Sequence, residues 1–239
     1  MTNIKYDVEP QVLLDRIREE YLKARKVLFI KDASSNLKRG KSRNIDGIGE
    51  DLVADFIRLN LADIKDAFVF VNQPLSLNKS TTKPQNKRRQ PIYPDIAICK
   101  KIDDNSFEIR YIIDLKMDAG HLGNLEKVCT THDGEIQDII NDKVKRSLDG
   151  EDKNIQYKFE IDKNKIWYDV VIVSAENRGK SKAFQEKIQR VHSNKNIKTP
   201  MQVLMLLNKG HLNDYNNKQY KINDDDFATM ISRARESVK

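Results

Sequence analysis

Residues Tyr111–Asp118 read YIIDLKMD. The opening Tyr-Ile-Ile has the makeup of a buried strand. An acid and a lysine then follow two positions apart, Asp114 and Lys116, where a core strand stays apolar. Side chains alternate along a strand, so Ile112, Asp114 and Lys116 share one face and Tyr111, Ile113 and Leu115 the other. The preceding FEIR lengthens this strand, and IYPDIAICK, from Ile92 to Lys100, is a strand before it. On that earlier strand Asp95 shares a face with Ala97 and Cys99. Neighbouring strands lie about 4.8 Å apart. If the two pair with Asp95 level with Asp114, two carboxylates and an ammonium converge on one spot.

The rest of the chain places this pair of strands in a fold. Pro10 sits in a first helical turn, and Leu13, Ile17, Tyr21, Ala24 and Leu28 follow at helical spacing. Ile48, Leu52, Val53, Phe56 and Ile57 mark the buried face of a second helix. AFVFVNQ, Ala67–Gln73, is a strand that Pro74 closes. Beyond the acidic strands, DGEIQDIINDKVKRSL (133–148) reads as a helix through Ile136, Ile139, Ile140 and Val144. IWYDVVIVSAE (166–176) is an apolar strand, SKAFQEKIQRVH (181–192) a helix, and MQVLMLLN (201–208) a buried strand. DDDFATMISRAR (224–235) is a closing helix with acids in its first turn. The order predicts an α/β fold, a mixed central β-sheet flanked by helices, in one domain of 239 residues.

Two carboxylates a few ångströms apart repel, and neither tolerates burial unpaired. A divalent cation resolves this. Mg²⁺ is the natural guest, with Mn²⁺ as a substitute, because it takes one or two protein carboxylates and completes its shell with water and phosphate oxygens. It would lower the pKa of a water and stabilise charge on an in-line phosphoryl transition state. Lys116 would orient or help deprotonate the attacking water, or stabilise charge on the phosphate. Acid, acid and lysine thus make a kit for phosphodiester hydrolysis. Acid-x-Lys alone is common in so charged a chain: DIK at Asp63–Lys65 and EDK at Glu151–Lys153 match too, though neither follows an apolar strand. Taken alone, Asp114 and Lys116 also fit a strand-end salt bridge.

Pro94-Asp95, followed on the next strand by Asp114-Leu115-Lys116, resembles the PD-(D/E)xK nuclease superfamily, best known from type II restriction endonucleases. The resemblance implies an αβββαβ core, here about residues 45–175, with an N-terminal helical extension (1–44) and a C-terminal extension (176–239). It implies Asp95 and Asp114 as metal ligands and Lys116 as the group beside the water. It also implies a glutamate on the helix before the strands. GIGEDLVADFI supplies Glu50, which lies three, four and seven residues before Val53, Ala54 and Ile57, at the margin of the buried face. Glu50 would serve as an auxiliary ligand or water-orienting group; the competing reading is a first-turn acid complementing the helix dipole. Asp51 and Asp55 turn away from that face. Asp118 continues the alternation and is expected to end the strand in solvent, the alternative being contact with a second metal ion.

A net charge of +7 favours an anionic partner, most simply nucleic acid, against the alternative of a solvated basic surface. Lys38, Arg39, Lys41 and Arg43 precede the Glu50 helix. Lys79, Lys83, Lys87, Arg88 and Arg89 lead into the Asp95 strand, and residues 178–198 carry seven lysines and arginines against one glutamate. The first two groups abut the proposed metal site in sequence and would neutralise phosphates. Few aromatics accompany these charges, so double-stranded DNA fits better than a single strand. A two-fold protein would match a palindromic site, which makes a homodimer the expectation.

Other chemistries find less support. His121, Cys129 and His132 form a loose cluster that lacks the tight pairs and four ligands of a zinc site. ENRGKSK (176–182) has a Gly-Lys-Ser, but the upstream glycine of a phosphate-binding loop is Ser174, so no nucleotide cofactor is expected. No apolar run reaches the roughly 18 residues of a membrane span, and MTNIKYDVEP has no signal-peptide core. Two cysteines, Cys99 and Cys129, suit a reducing cytoplasm. The expectation is a cytoplasmic Mg²⁺-dependent endonuclease acting on double-stranded DNA, of restriction type. The alternatives are a structure-specific or phage or mobile-element nuclease of the same fold, and a DNA-binding module that does not cut.

Overall fold

The computed structural model describes residues 6–25, 44–76, 92–118, 124–141, 145–148, 154–162, 164–174, 181–209, 212 and 220–239. The helices are α1 (Pro10–Arg25), α2 (Asp46–Leu59), α3 (Leu125–Asn141), α4 (Ser181–His192) and α5 (Asp224–Val238). The strands are β1 (Ala67–Val71), β2 (Ile96–Asp103), β3 (Ser106–Asp118), β4 (Lys145–Leu148), β5 (Gln156–Ile161), β6 (Trp167–Ser174), β7 (Met201–Met205), β8 (Leu207–Lys209) and β9 (Lys221–Ile222).

β3 is the axis of a seven-stranded mixed sheet. One of its edges pairs antiparallel with β2, and β2 with β1. The other edge is shared. Its first half runs parallel to β5, which carries β4 outside it, and its second half runs parallel to β6, with β7 beyond. β8 and β9 form a separate ribbon.

Each face of the sheet has its own core. Tyr111, Ile113 and Leu115 of β3 pack with α1, α2 and α5. Ile112 packs with α3 and α4 on the other side. α2 buries Val53, Phe56 and Ile57 at helical spacing, each of which contributes roughly 1.5–3 kcal/mol by leaving water. Asn44 Oδ1 accepts from the Asp46 N–H at 3.0 Å where the helix starts. Gly49, on the same helix, lies so close to β3 that a Cβ there would overlap Met117 Sδ.

A bulge sets the faces of β3. Ile98 pairs with Tyr111 but Cys99 with Ile109, so Arg110 is an extra residue on β3. Before the bulge Phe107 and Ile109 face α3 and α4; after it Ile112 does. The bulge therefore keeps one apolar face continuous with the face that carries Asp114 and Lys116.

The structure departs from the sequence reading in four places. The helix expected over 133–148 begins at Leu125 and ends at Asn141, because Leu125 and Cys129 extend the buried stripe of Ile136 and Ile139. Lys145–Leu148 is instead a strand, paired with β5, which the reading left out. MQVLMLLN divides at Leu206, where the chain leaves the main sheet to pair with β9. Asp118, expected in solvent, is instead buried at 6% exposure, and its charge acts on Tyr21 of α1. Leu28, expected in the first helix, lies outside the described residues. No helix among those described is long and apolar enough to cross a membrane.

Candidate functional site

The last register pair of β2 and β3 is Ile96 with Ile113, which sets Asp95 level with Asp114. Asp95 stands just before β2, after Pro94. Its Oδ2 accepts from the Leu115 N–H at 2.8 Å, and its main-chain oxygen accepts from the Asn72 N–H at 3.0 Å. Lys116 Nζ donates to Asp114 Oδ1 at 2.7 Å and lies 3.8 Å from Asp95 Oδ2. The structure thus brings Asp95, Asp114 and Lys116 to one point on the α3 side of the sheet.

Electrostatics at this point are strained. Burial, then the Asp114 charge, push the Asp95 carboxyl well above the usual carboxylate range, against the pull of Lys116 and the Leu115 N–H. Burial draws the Lys116 ammonium down, but Asp114, Asp95 and Glu50 outweigh it and hold the group above its ordinary value. Asp114 is 6% exposed, and its Oδ2 accepts no hydrogen bond.

Glu50 sits apart from this trio. Its Oε2 accepts from Asn72 Nδ2. Its charge contributes to the field at Lys116 without an ion pair between them. Asn72, which the sequence reading passed over, links the two halves of the site: its backbone holds Asp95 and its side chain holds Glu50. It does so with φ 50°, in the left-handed region that Asn tolerates better than most residues. Asp55 is turned away as expected, paired with Arg16 and Arg58.

On α3, His132 and Glu135 face the same spot. His132 Nε2 is 3.5 Å from Asp114 Oδ2, and its Nδ1 is 3.0 Å from Glu135 Oε2. Tyr168 of β6 stands alongside with a buried, unpartnered hydroxyl. Of the residues that cluster with His132 in the sequence, His121 lies outside the described residues and Cys129 is buried in the core as a free thiol.

Among the described residues, no three His, Cys, Asp or Glu side chains converge closely enough to hold a metal ion. The donor set still suits a cation that takes only one or two protein ligands. Two level carboxylates, one with an orphaned buried oxygen and the other pushed above its ordinary range by burial and by its neighbour's charge, are the arrangement a divalent ion relieves. Lys38, Arg39, Lys41, Arg43, Lys79, Lys83, Lys87, Arg88 and Arg89 lie outside the described residues. Lys187 and Arg190 of the third basic segment are exposed on α4, whose buried side packs on the same sheet face as the site. No protein-family model matches the chain, and no curated protein matches it.

Proposed function

We propose that the chain is a Mg²⁺-dependent endonuclease acting on double-stranded DNA, of the PD-(D/E)xK kind and restriction-like in its cutting. The observation that carries this reading is the placement of Asp95 level with Asp114, with Lys116 Nζ reaching both. The run α2, β1, β2, β3, α3 and β6, with β4 and β5 interposed, supports an αβββαβ core.

Asp95 and Asp114 would hold the ion, with Glu50 as an auxiliary ligand reaching from α2. When bound, the cation would supply Lewis acidity and neutralise charge on the scissile phosphate. Lys116 would hold the attacking water or the developing phosphate charge, as an ammonium kept charged by its acid neighbours. Asn72 would keep Glu50 and Asp95 in mutual register. The two basic segments nearest the site in sequence would carry the DNA backbone. A cytoplasmic homodimer cutting at a two-fold site completes the reading.

Incubation of purified protein with mixed plasmid and phage DNA, with Mg²⁺ or with EDTA, tests it. Discrete metal-dependent fragments are expected. Cleavage confined to junctions or ends would favour a structure-specific nuclease, and DNA binding without cleavage under varied salt and metal would leave a binding module.

A further inference from the structure

The two oxygens of Asp114 have different surroundings. Oδ1 takes the Lys116 ammonium. Oδ2 is buried without a hydrogen bond and faces His132 Nε2 at 3.5 Å, too far for one. The other ring nitrogen, Nδ1, is 3.0 Å from Glu135 Oε2. Glu135 lies three residues on from His132, so the two share a helix face. In the neutral ring, a carboxylate at Nδ1 draws the proton there and leaves the Nε2 lone pair pointing at a buried carboxylate oxygen. Two such lone-pair donors facing each other in a desolvated place repel unless a positive centre joins them. The gap opens on a cavity of about 30 Å³ lined by Asp95, Asp114, His132, Glu135 and Tyr168, among others. That is room for an ion-sized group.

We propose that His132 is a metal ligand, its Nε2 and Asp114 Oδ2 together offering an imidazole–carboxylate pair to a first-row transition ion, with Glu135 orienting the ring. The inference shares Asp114 with the metal-dependent reading above and rests on it only there. It changes the ion class: imidazole suits first-row transition ions, whereas an all-oxygen set suits Mg²⁺. Glu135 is a positioning residue, of the kind whose loss weakens metal binding by about 10–100-fold. Water and phosphate oxygens complete the shell, which is why two protein ligands suffice.

Co²⁺ is the probe. The full-length protein is titrated with Co²⁺ and with Mg²⁺ by calorimetry, and the Co²⁺ form is examined by proton NMR for a paramagnetically shifted, exchangeable imidazole N–H, the mark of a ring bound through its other nitrogen. Wild type should show that resonance. His132→Gln should lose it and bind Co²⁺ about 10-fold more weakly or worse, as expected for a lost ligand system, with Mg²⁺ affinity little changed. Glu135→Gln should shift the resonance and weaken Co²⁺ binding; this arm and the wild-type spectrum decide the matter if His132→Gln does not fold. Co²⁺ binding with no shifted imidazole resonance, or equal Co²⁺ affinity in His132→Gln, overturns the proposal. Neither readout involves cleavage, so a protein that cuts DNA yet binds no metal through His132 would sink this inference and spare the nuclease, and the converse result would do the reverse.

Discussion

The Leu115 backbone N–H donates to Asp95 Oδ2 at 2.8 Å, so the strand that carries Asp114 and Lys116 also holds the acid that precedes its neighbour. Asp95 therefore has a structural and a chemical role, and a suitable substitution separates them. Asp95→Asn keeps an acceptor for Leu115 and the same volume but removes the charge. It should fold with near-wild-type thermal stability, bind DNA within a few-fold of wild type, and cut about 10²–10⁴-fold more slowly, the range for loss of a positioned acid–base group. Lys116→Ala should behave alike. Initial rates on plasmid DNA and gel-shift titrations measure both, and a wild-type rate in either variant places the chemistry elsewhere.

Asn72 offers a second separation. Its φ of 50° costs an ordinary residue about 1–2 kcal/mol, but not glycine. Its side chain alone holds Glu50 from this position. Asn72→Gly should therefore be close to wild type in thermal unfolding yet impaired in cleavage, whereas Asn72→Ala should lose about 1 kcal/mol as well. Equal activity in Asn72→Gly and wild type would show that Glu50 needs no tether to act.

The site was legible in the sequence where local rules sufficed. An acid and a lysine on one face of an apolar strand, with Pro-Asp opening the strand before it, located Asp95, Asp114 and Lys116 because alternation and antiparallel pairing are short-range. The bulge at Arg110 was not foreseen, although Phe107 and Ile109 change parity with Ile112 across it. β5 was missed because QYKFEI mixes charge with aromatics; it becomes a strand through pairing with the first half of β3, a contact made far along the chain. His132 was seen, but not its place beside Asp114. Its partner Asp114 belongs to another element, and sequence spacing carries no signal for that approach.

Gly49 and Met117 predict a coupling between α2 and β3. A methyl group at Gly49 would favour the helix by about 1 kcal/mol on propensity alone. It would also collide with the Met117 thioether, and overpacking a tight contact typically costs 1–3 kcal/mol. Gly49→Ala should thus be destabilising on balance in wild type. In a Met117→Ala background the clash is gone, and the same change should become neutral or stabilising. A double-mutant cycle in urea gives the interaction directly. Additivity of the two changes would mean that α2 and β3 stand further apart here than the Met117 contact implies.

On the far side of the sheet, Asp169 is fully buried within β6. It accepts from Tyr111 Oη at 2.6 Å, from the Gln202 N–H at 2.8 Å and from Arg233 of α5, whose guanidinium lies over Trp167. Burial nevertheless prevails over these partners and pushes its carboxyl from 3.8 up to about 6. The folded chain then binds this proton more tightly than the unfolded one. The stability it contributes is complete below pH 3.8 and is lost as the pH rises through about 6. The span corresponds to an order of 2–3 kcal/mol. Asp169→Asn, which still offers an acceptor to Tyr111 or Gln202, should therefore lose this slope: the stability difference between variant and wild type should shift across pH 4–7 in the variant's favour. Urea midpoints at several pH values within that window measure it, and comparing the two proteins cancels the share of other titrating groups such as His192 and Asp226. A constant difference across the window would mean that Asp169 stays ionised throughout, held by Arg233 more firmly than its burial opposes.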